Sequence, residues 1–380
     1  MGLTQNKKAD WYPIRSGHEC PVCGSKKGRC GFMENEEGNI VLFRCKNKTS
    51  NRPSSDGWYI HLANELNGDA SEKFNDIVCK DYKYEPITDE LLDLWDRVYR
   101  KFKEVFIYLN GSALYENHKK DLIKRGLDES TIKEIGCFSV PRNTKIHYKN
   151  YTCSLRTAIV HELLNYFNPE SLIRVPGFKK ANSKGKEYIT FVNTIYSKKD
   201  NAFIDLDAYF IPYLDFKGRL VGMQYRLMEP IVDEDGKIYR YLWYVTKNVV
   251  SCGSPINYNV PSAIEIDDVI LITEGALKGK IASVRLGIRT LSEAGVSNYR
   301  RLIEELHLIE QLEGRKFKRL LALDMDKYTN TDVLKAEINT VAMLKADGEP
   351  VYILEWDIDE GKGIDDKTNI SKKNFRYLTV

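Results

Sequence analysis

Long apolar runs are missing from this sequence. Nowhere in its 380 residues do the roughly 18 to 20 consecutive apolar side chains that span a bilayer occur. The opening residues MGLTQNKKADWYPIRSGHEC lack the apolar core of a secretory signal, so a cytoplasmic protein with no membrane partner is expected. Proline is scarce, at 12, and 25 glycines are ordinary for this length, which excludes collagen-like and mucin-like chains. No internal repeat and no low-complexity tract is present. With 42% hydrophobic residues the chain can bury a sizeable core, and wholesale disorder is excluded too.

What is present is an ordinary soluble composition with length for two or three domains. The net charge of +3 is unevenly spread. Residues 1–60 carry 10 basic and 6 acidic side chains, and residues 61–140 carry 12 and 16. Residues 141–262 carry 17 and 11, whereas residues 263–380 carry 18 and 21. Basic segments alternate with acidic ones. That would suit a polyanion held beside an acidic metal centre, and solvated surface charge accounts for it equally well.

In a reducing compartment the eight cysteines are thiols or metal ligands rather than disulfides. Cys79, Cys137, Cys153 and Cys252 are scattered and read as small buried hydrophobes. Cys20, Cys23, Cys30 and Cys45 fall together. Cys20-Pro-Val-Cys23-Gly is a two-residue spacing followed by glycine, a knuckle on which two thiolates grip one ion, and Cys30 and Cys45 can complete the tetrahedral set of a structural zinc. His18 or His61 can substitute for Cys30. Lys26, Lys27, Arg29, Arg44 and Lys46 would offset the thiolate charge. The competing reading, a redox pair, requires a βαβ setting that this stretch lacks.

Three further patterns set the fold class, which is α/β. LLDLWDRVYRKFKEVFIYL repeats apolar residues at helical intervals, and HKKDLIKRGLDESTIKEIG reads as helix, turn and helix. From 141 to 262 strand-like runs such as AYFIPYLD and RLVGMQYRLM alternate with turns. After 263 the order is strand VILIT, helix, strand IRTL, helix, strand RLLALD, helix, strand VYILEW, hence a largely parallel sheet with flanking helices. The expected organisation is a zinc ribbon-like module at 1–68, a helical linker at 69–140 and a mixed β-rich basic subdomain at 141–262. The parallel-sheet domain follows at 263–368, with a tail at 369–380.

Glu274 follows strand VILIT and precedes Gly275, so its carboxylate should emerge at the carboxyl edge of the sheet, where open α/β sheets bind ligands. Asp324 and Asp326 stand at the end of RLLALD, two residues apart and so aimed alike. Asp365 and Asp366, after the last strand, can reach the same edge. Each pair alone also reads as a turn or helix cap. Converging within a few ångströms, these carboxylates would repel unless Mg²⁺ or Mn²⁺ compensated them.

Residues 269–366 resemble the toprim domain of bacterial-type primases, topoisomerases and some nucleases: a glutamate after the first strand, Asp-x-Asp after the third. Upstream, Arg219-Leu-Val-Gly-Met-Gln-Tyr-Arg226, Tyr241-Leu-Trp-Tyr-Val-Thr-Lys247 and Gly253-Ser-Pro-Ile-Asn-Tyr look like the basic subdomain that precedes toprim in those primases. The cysteine cluster, Asp56-Gly-Trp-Tyr-Ile-His61, Lys124-Arg-Gly-Leu and Gly361-Lys-Gly-Ile-Asp-Asp366 look like the divergent primase-like proteins of phages, plasmids and integrative elements. The resemblance implies that Glu274, Asp324 and Asp326 bind catalytic metal and that Asp365 with Asp366 helps to hold a second ion. It also implies that Arg219, Arg226 and Lys247 line a nucleic-acid or nucleotide track, and that Lys278 touches a phosphate.

Two departures stand out: Lys327-Tyr-Thr follows Asp326 in place of small residues, and the second half of the cysteine cluster has no Cys-x2-Cys. No GxxxxGK[ST] loop occurs, so no helicase of that type is fused and a separate one is an expected partner. The implied activity is synthesis of short RNA primers from nucleoside triphosphates on single-stranded DNA. Phosphates would be held by the basic groups, and bases would stack on Trp58, Tyr59 or Phe43, which read equally as core. The same acidic edge could serve a nuclease, and a degenerate edge would leave a single-strand-binding accessory protein without turnover.

Overall fold

The computed structural model describes residues 12–14, 19–26, 30–34, 40–45, 47–48, 50, 58–62, 87–183, 185–197, 202–232, 238–246, 252–293, 299–366 and 376–379. The chain forms two compact units, Met1–Pro86 and Ile87–Val380.

In the first unit β1 (Tyr12–Pro13), β2 (Gly31–Glu34), β3 (Ile40–Cys45) and β4 (Tyr59–Leu62) pair antiparallel in that order. Among its described residues the core comprises Ile14, Val22, Phe32, Ile40 and Phe43, together with Cys20, Cys30 and Cys45. The described apolar side chains are few for four strands, and a cross-link among the cysteines would reinforce them.

The second unit opens with α1 (Asp89–Asn110), whose first turn is capped by Thr88 and which ends at Gly111. Its apolar stripe, including Leu91, Trp95, Val98, Phe102 and Phe106, is buried, as the three- and four-residue spacing requires. Trp95 Nε1 donates to the Arg174 carbonyl at 2.8 Å and the Tyr99 hydroxyl to that of Pro176 at 2.9 Å. Next come α2 (Glu116–Lys124) and α3 (Glu129–Ile135), the latter capped by Asp128. The helical stretch therefore differs from the linker expected up to residue 140: from Ile87 it belongs to this unit. The stripe of α1 shares one core with Phe138, Phe178, Phe210 and Tyr244, because an apolar face this wide must be covered.

There follow β5 (Phe138–Ser139), the hairpin β6 (Lys145–Tyr148) and β7 (Tyr151–Ser154), α4 (Leu155–Leu163) and α5 (Pro169–Ile173). Two more hairpins come next, β8 (Phe178–Ser183) with β9 (Lys186–Phe191), and β10 (Thr194–Ser197) with β11 (Ala202–Asp205). β12 (Ala208–Leu214), β13 (Leu220–Val232) and β14 (Ile238–Trp243) complete an antiparallel sheet of order β14-β13-β12-β5. The strand-like runs AYFIPYLD and RLVGMQYRLM lie in β12 and β13. The helices α4 and α5 are the helical part of this mixed subdomain, and their start signals are Ser154, which accepts from Thr157 N, and Asn168, which precedes Pro169 and accepts from Ser171 N.

The last part alternates: β15 (Asn257–Asn259), β16 (Ile266–Glu274), α6 (Ala276–Leu286), β17 (Ile288–Glu293), α7 (Tyr299–Glu313), β18 (Lys318–Leu321), α8 (Thr331–Ala346), β19 (Val351–Glu355) and β20 (Arg376–Thr379). The sheet order is β15-β17-β16-β18-β19-β20, with the four central strands parallel and both edge strands antiparallel. The α/β class with a parallel sheet is thus as expected. Residues 376–379, expected as part of a tail, add an edge strand to that sheet.

Lys280 lies on the inner side of α6, only 1% exposed, with Asn259 Oδ1 at 3.4 Å. Burial pushes its pKa down from 10.5 to about 8. At neutral pH the folded chain therefore holds a buried cation that the unfolded chain would hold in water, and folding gains stability as pH rises from 8 toward 10.5. At 1.36 kcal/mol per unit the strain is on the order of 3 kcal/mol. Lys280→Met should raise the melting temperature at pH 7 and flatten the alkaline rise in stability, as measured by thermal unfolding across pH.

Candidate metal centres and active site

Four thiols meet in the first unit. Cys20, Cys23, Cys30 and Cys45 place their sulfurs within 4.8 Å of one another, with Cys23–Cys30 and Cys30–Cys45 at 3.7 Å. The knuckle is built by the Gly24 amide donating to the Cys20 carbonyl at 2.8 Å, and Asn47 Nδ2 approaches the Cys23 sulfur at 3.5 Å. An all-sulfur tetrahedral set fits a soft or borderline ion. His61 is not a ligand, since its Nε2 lies 3.1 Å from the Lys48 carbonyl, and His18 lies outside the described residues. Of the proposed stacking aromatics, Phe43 is fully buried and unavailable to a base, and Trp58 lies under the Arg44 guanidinium at 4.8 Å.

The second constellation stands at the carboxyl edge of the parallel sheet. β16 ends at Glu274 and its neighbour β17 ends at Glu293, paired in register. Gly275 turns the chain from β16 into α6 at φ +84°, a value that disfavours any side chain. On the other side of β16, the Ala322 amide donates to the Ile272 carbonyl at 2.8 Å, which carries the β18 strand line on to Asp324. Asp324 opens a short 3-10 turn, Met325–Tyr328, that includes Asp326. After β19 the chain returns as Gly361-Lys-Gly-Ile-Asp-Asp366, and the Met325 amide donates to the Lys362 carbonyl at 2.9 Å, stitching this loop to the acidic turn. Gly363 packs tightly: a Cβ there would stand 2.7 Å from Asp365 Oδ1 and 3.3 Å from Asp324 Oδ1, so the Asp365 carboxylate would have to shift.

Lysines stand among these carboxylates. Lys278 Nζ, one turn into α6, bonds Asp324 Oδ1. Lys362 Nζ lies 2.7 Å from Asp326 Oδ2 and 3.6 Å from Asp324 Oδ2. Glu274, Asp324 and Asp326 share the edge, yet their oxygens are not all within 4.8 Å of one another. Among the described residues only the four thiols and His307 with Glu310 and Asp347 meet that distance. The latter acids are already held by cations, Glu310 by Lys316 at 2.7 Å and by buried Arg319 at 3.2 Å, and Asp347 by Arg319.

Burial pushes the Glu274 carboxyl above its usual pKa, and repulsion from Asp324 and Asp326 adds to this against Lys278 and Lys362. Burial raises Asp365 as well, with Asp366 adding and Lys278 and Arg125 opposing. On Lys278 burial opposes the charge, but Asp324, Asp365 and Glu274 outweigh it and raise its pKa. Asp326 Oδ1 and Asp365 Oδ1 are buried with no hydrogen-bond partner. Hard oxygen donors of this kind, strained by burial and mutual repulsion, fit a divalent cation such as Mg²⁺ or Mn²⁺.

The other candidate residues divide. Asp365 Oδ2 is held by Arg125 Nη1 at 2.7 Å, so the Lys124-Arg-Gly-Leu turn meets the Gly-Ile-Asp-Asp loop 240 residues away. Asp366 Oδ2 accepts from the Gly363 amide at 3.0 Å and shapes the loop. Arg226 is buried near the same network, its Nη2 4.0 Å from Asp121 Oδ1, while Asp121 Oδ2 lies 3.8 Å from Arg125. Arg219 is committed elsewhere: Asp89 at 3.0 Å, and Asp93 and Asp215 at 2.8 Å each, surround its guanidinium and tie α1 to the β12–β13 turn. Three carboxylates leave that cation no charge to offer a phosphate. Lys247 lies outside the described residues.

Sequence reasoning missed three residues here. Glu293 is a further buried carboxylate at the edge, 1% exposed, whose only signal is its place at the end of strand IRTL. Arg125 was marked only by its motif. Lys327, read as a departure, is buried and paired with Glu337 at 2.9 Å and Glu355 at 2.7 Å, which anchors the Asp324–Asp326 turn to α8 and β19.

Residues 263–374 match the family described as "Domain of unknown function (DUF3854)". No curated protein matches the chain. Among solved structures it is similar to the Aquifex aeolicus primase, zinc-binding and RNA polymerase domains, at 16% identity over 96% of this chain and 76% of that one, with a TM-score of 0.45. It is also similar to a DNA primase domain from Pseudomonas aeruginosa, at 15% identity over 74% and 75% of the two chains, TM-score 0.46. A third is the RNA polymerase domain of Mycobacterium tuberculosis primase DnaG, at 14% over 74% and 79%, TM-score 0.45. These are likenesses, and no activity follows from them.

Proposed function

We propose that this protein is a DNA primase, of the kind carried by phages, plasmids and integrative elements, that joins nucleoside triphosphates into short RNA primers on single-stranded DNA. One observation carries the reading: Glu274, Asp324 and Asp326, brought from two adjacent parallel strands to one edge, face Lys278 and Lys362 with buried, unpartnered carboxylate oxygen among them. Paired acids with interleaved lysines suit a reaction that handles both a hard cation and a triphosphate.

Glu274, Asp324 and Asp326 would hold Mg²⁺ or Mn²⁺. Such an ion, when bound, polarises phosphoryl oxygens and lowers the pKa of an attacking hydroxyl. In the reaction the 3′ oxygen of one nucleotide forms a bond to the α-phosphorus of the next, the bridge to the β-phosphate breaks, pyrophosphate leaves and the hydroxyl proton passes to solvent. Lys278 stands where it can face the negative charge that grows on the leaving phosphates. Arg125 holds Asp365 at the rim, and buried Arg226 backs it through Asp121. The four thiols would hold zinc, fixing a module that engages template, and a separate helicase would supply single strands.

Incubation with the four ribonucleoside triphosphates, Mg²⁺ or Mn²⁺ and random single-stranded DNA should yield new labelled oligonucleotides. Shortened DNA instead would replace this reading with a nuclease, and salt-sensitive binding without product would leave an accessory protein.

A further inference from the structure

Lys362 holds an unusual station. Its backbone is fixed on both sides: the Met325 amide donates to its carbonyl at 2.9 Å, and Trp356 Nε1 donates to the preceding Gly361 carbonyl at 2.8 Å. The glycine that follows it packs against Asp365 and Asp324 so closely that a Cβ would displace the Asp365 carboxylate. Yet the side chain itself is 55% exposed, whereas Lys278, on the rigid helix α6, is 24% exposed. A pinned backbone thus delivers a loose ammonium group onto two carboxylates, Asp326 at 2.7 Å and Asp324 at 3.6 Å.

We infer that Lys362 is an exchangeable counter-ion of the acidic edge: it neutralises Asp324 and Asp326 when no divalent cation is bound, and moves to the triphosphate of the incoming nucleotide when one is. The inference deepens the proposed function and rests on it. The two cations compete for the same oxygens. Asp326 Oδ2 faces Lys362 while Oδ1 is buried without a partner, so a divalent ion gains both only if the ammonium yields. A displaced Lys362, still tethered at the edge, lies within its own side-chain length of any phosphate held there. Lys278 is the fixed cation of the pair, because α6 holds its backbone and its side chain is largely covered.

The test uses the full chain and Mn²⁺ alone, counted by the electron paramagnetic resonance of the unbound ion, with neither nucleotide nor DNA present. Lys362→Ala and Lys362→Gln should bind Mn²⁺ about tenfold more tightly than wild type, the size of an ordinary coupling between two ligands. Lys362→Arg, which keeps the charge, should stay near wild type. With Mn²⁺ saturating, Lys362→Ala should bind a ribonucleoside triphosphate about tenfold more weakly, by the same kind of coupling. Equal or weaker Mn²⁺ binding by Lys362→Ala and Lys362→Gln overturns the inference. If Asp326→Asn still abolishes binding in that case, the metal site survives without it. If no chain binds Mn²⁺, the inference and the proposed function fall together.

Discussion

Glu274→Gln should remove the proposed nucleotide incorporation, by at least ~100-fold, without unfolding the protein. Loss of partners in the outer shell of a metal site alone costs 10–100-fold, so a direct ligand sets a higher floor. Two effects pull in opposite directions. The amide cannot offer an anionic oxygen to a hard cation, so the chemistry collapses. Stability moves the other way: burial, with Asp324 and Asp326, raises the Glu274 pKa above its unfolded value. A carboxyl raised in the fold is easier to ionise in the unfolded chain, so its charge opposes folding at neutral pH and this penalty fades as pH falls toward its pKa. Glu274→Gln should therefore melt at the same temperature as wild type or higher at pH 7 without divalent metal. Lost incorporation together with a lower melting temperature would show a structural role instead.

The second large effect belongs to the thiols. Cys45→Ser should reduce the zinc content from one ion per chain to none and unfold the first unit. Structural zinc contributes about 10–16 kcal/mol in small modules, far more than the five buried apolar side chains among the described residues of that unit can replace. Cys45 is fully buried, so serine there would also leave a hydroxyl in the centre of the cluster. Because residues 87–380 form their own compact unit, their melting should be unchanged. Elemental analysis with limited proteolysis checks both parts. A protease-resistant first unit without metal would contradict the cross-link argument.

How much of this was legible beforehand follows from what each signal depends on. Helix α1 and the alternation from β16 to β19 were readable because apolar period and length are local properties. Cys20 and Cys23 were readable because a two-residue spacing makes a knuckle, whereas the β2–β3 pairing is what brings Cys30 and Cys45 to them. Helices α4 and α5 were not, since nine and five residues give too few turns for a period to emerge. The basic residues were least legible. Arg219 and Arg226 occur in one short motif, yet one is consumed by Asp89, Asp93 and Asp215, and the other lies near the acidic edge through Asp121. Which acid meets a base across more than a hundred residues is decided by tertiary packing, as with Arg125 and Asp365. Lys327 shows the converse: a residue that broke the family pattern proves to anchor the acidic turn through Glu337 and Glu355.

If the edge formed by β16 and β18 binds a divalent cation, Mn²⁺ should occupy it. Anomalous scattering from crystals soaked in Mn²⁺ locates that ion directly. The expected result is a peak bounded by Glu274, Asp324 and Asp326, with the Lys362 ammonium moved off Asp326. A Mn²⁺ peak elsewhere, with Lys278 and Lys362 still seated on the aspartates, would contradict it.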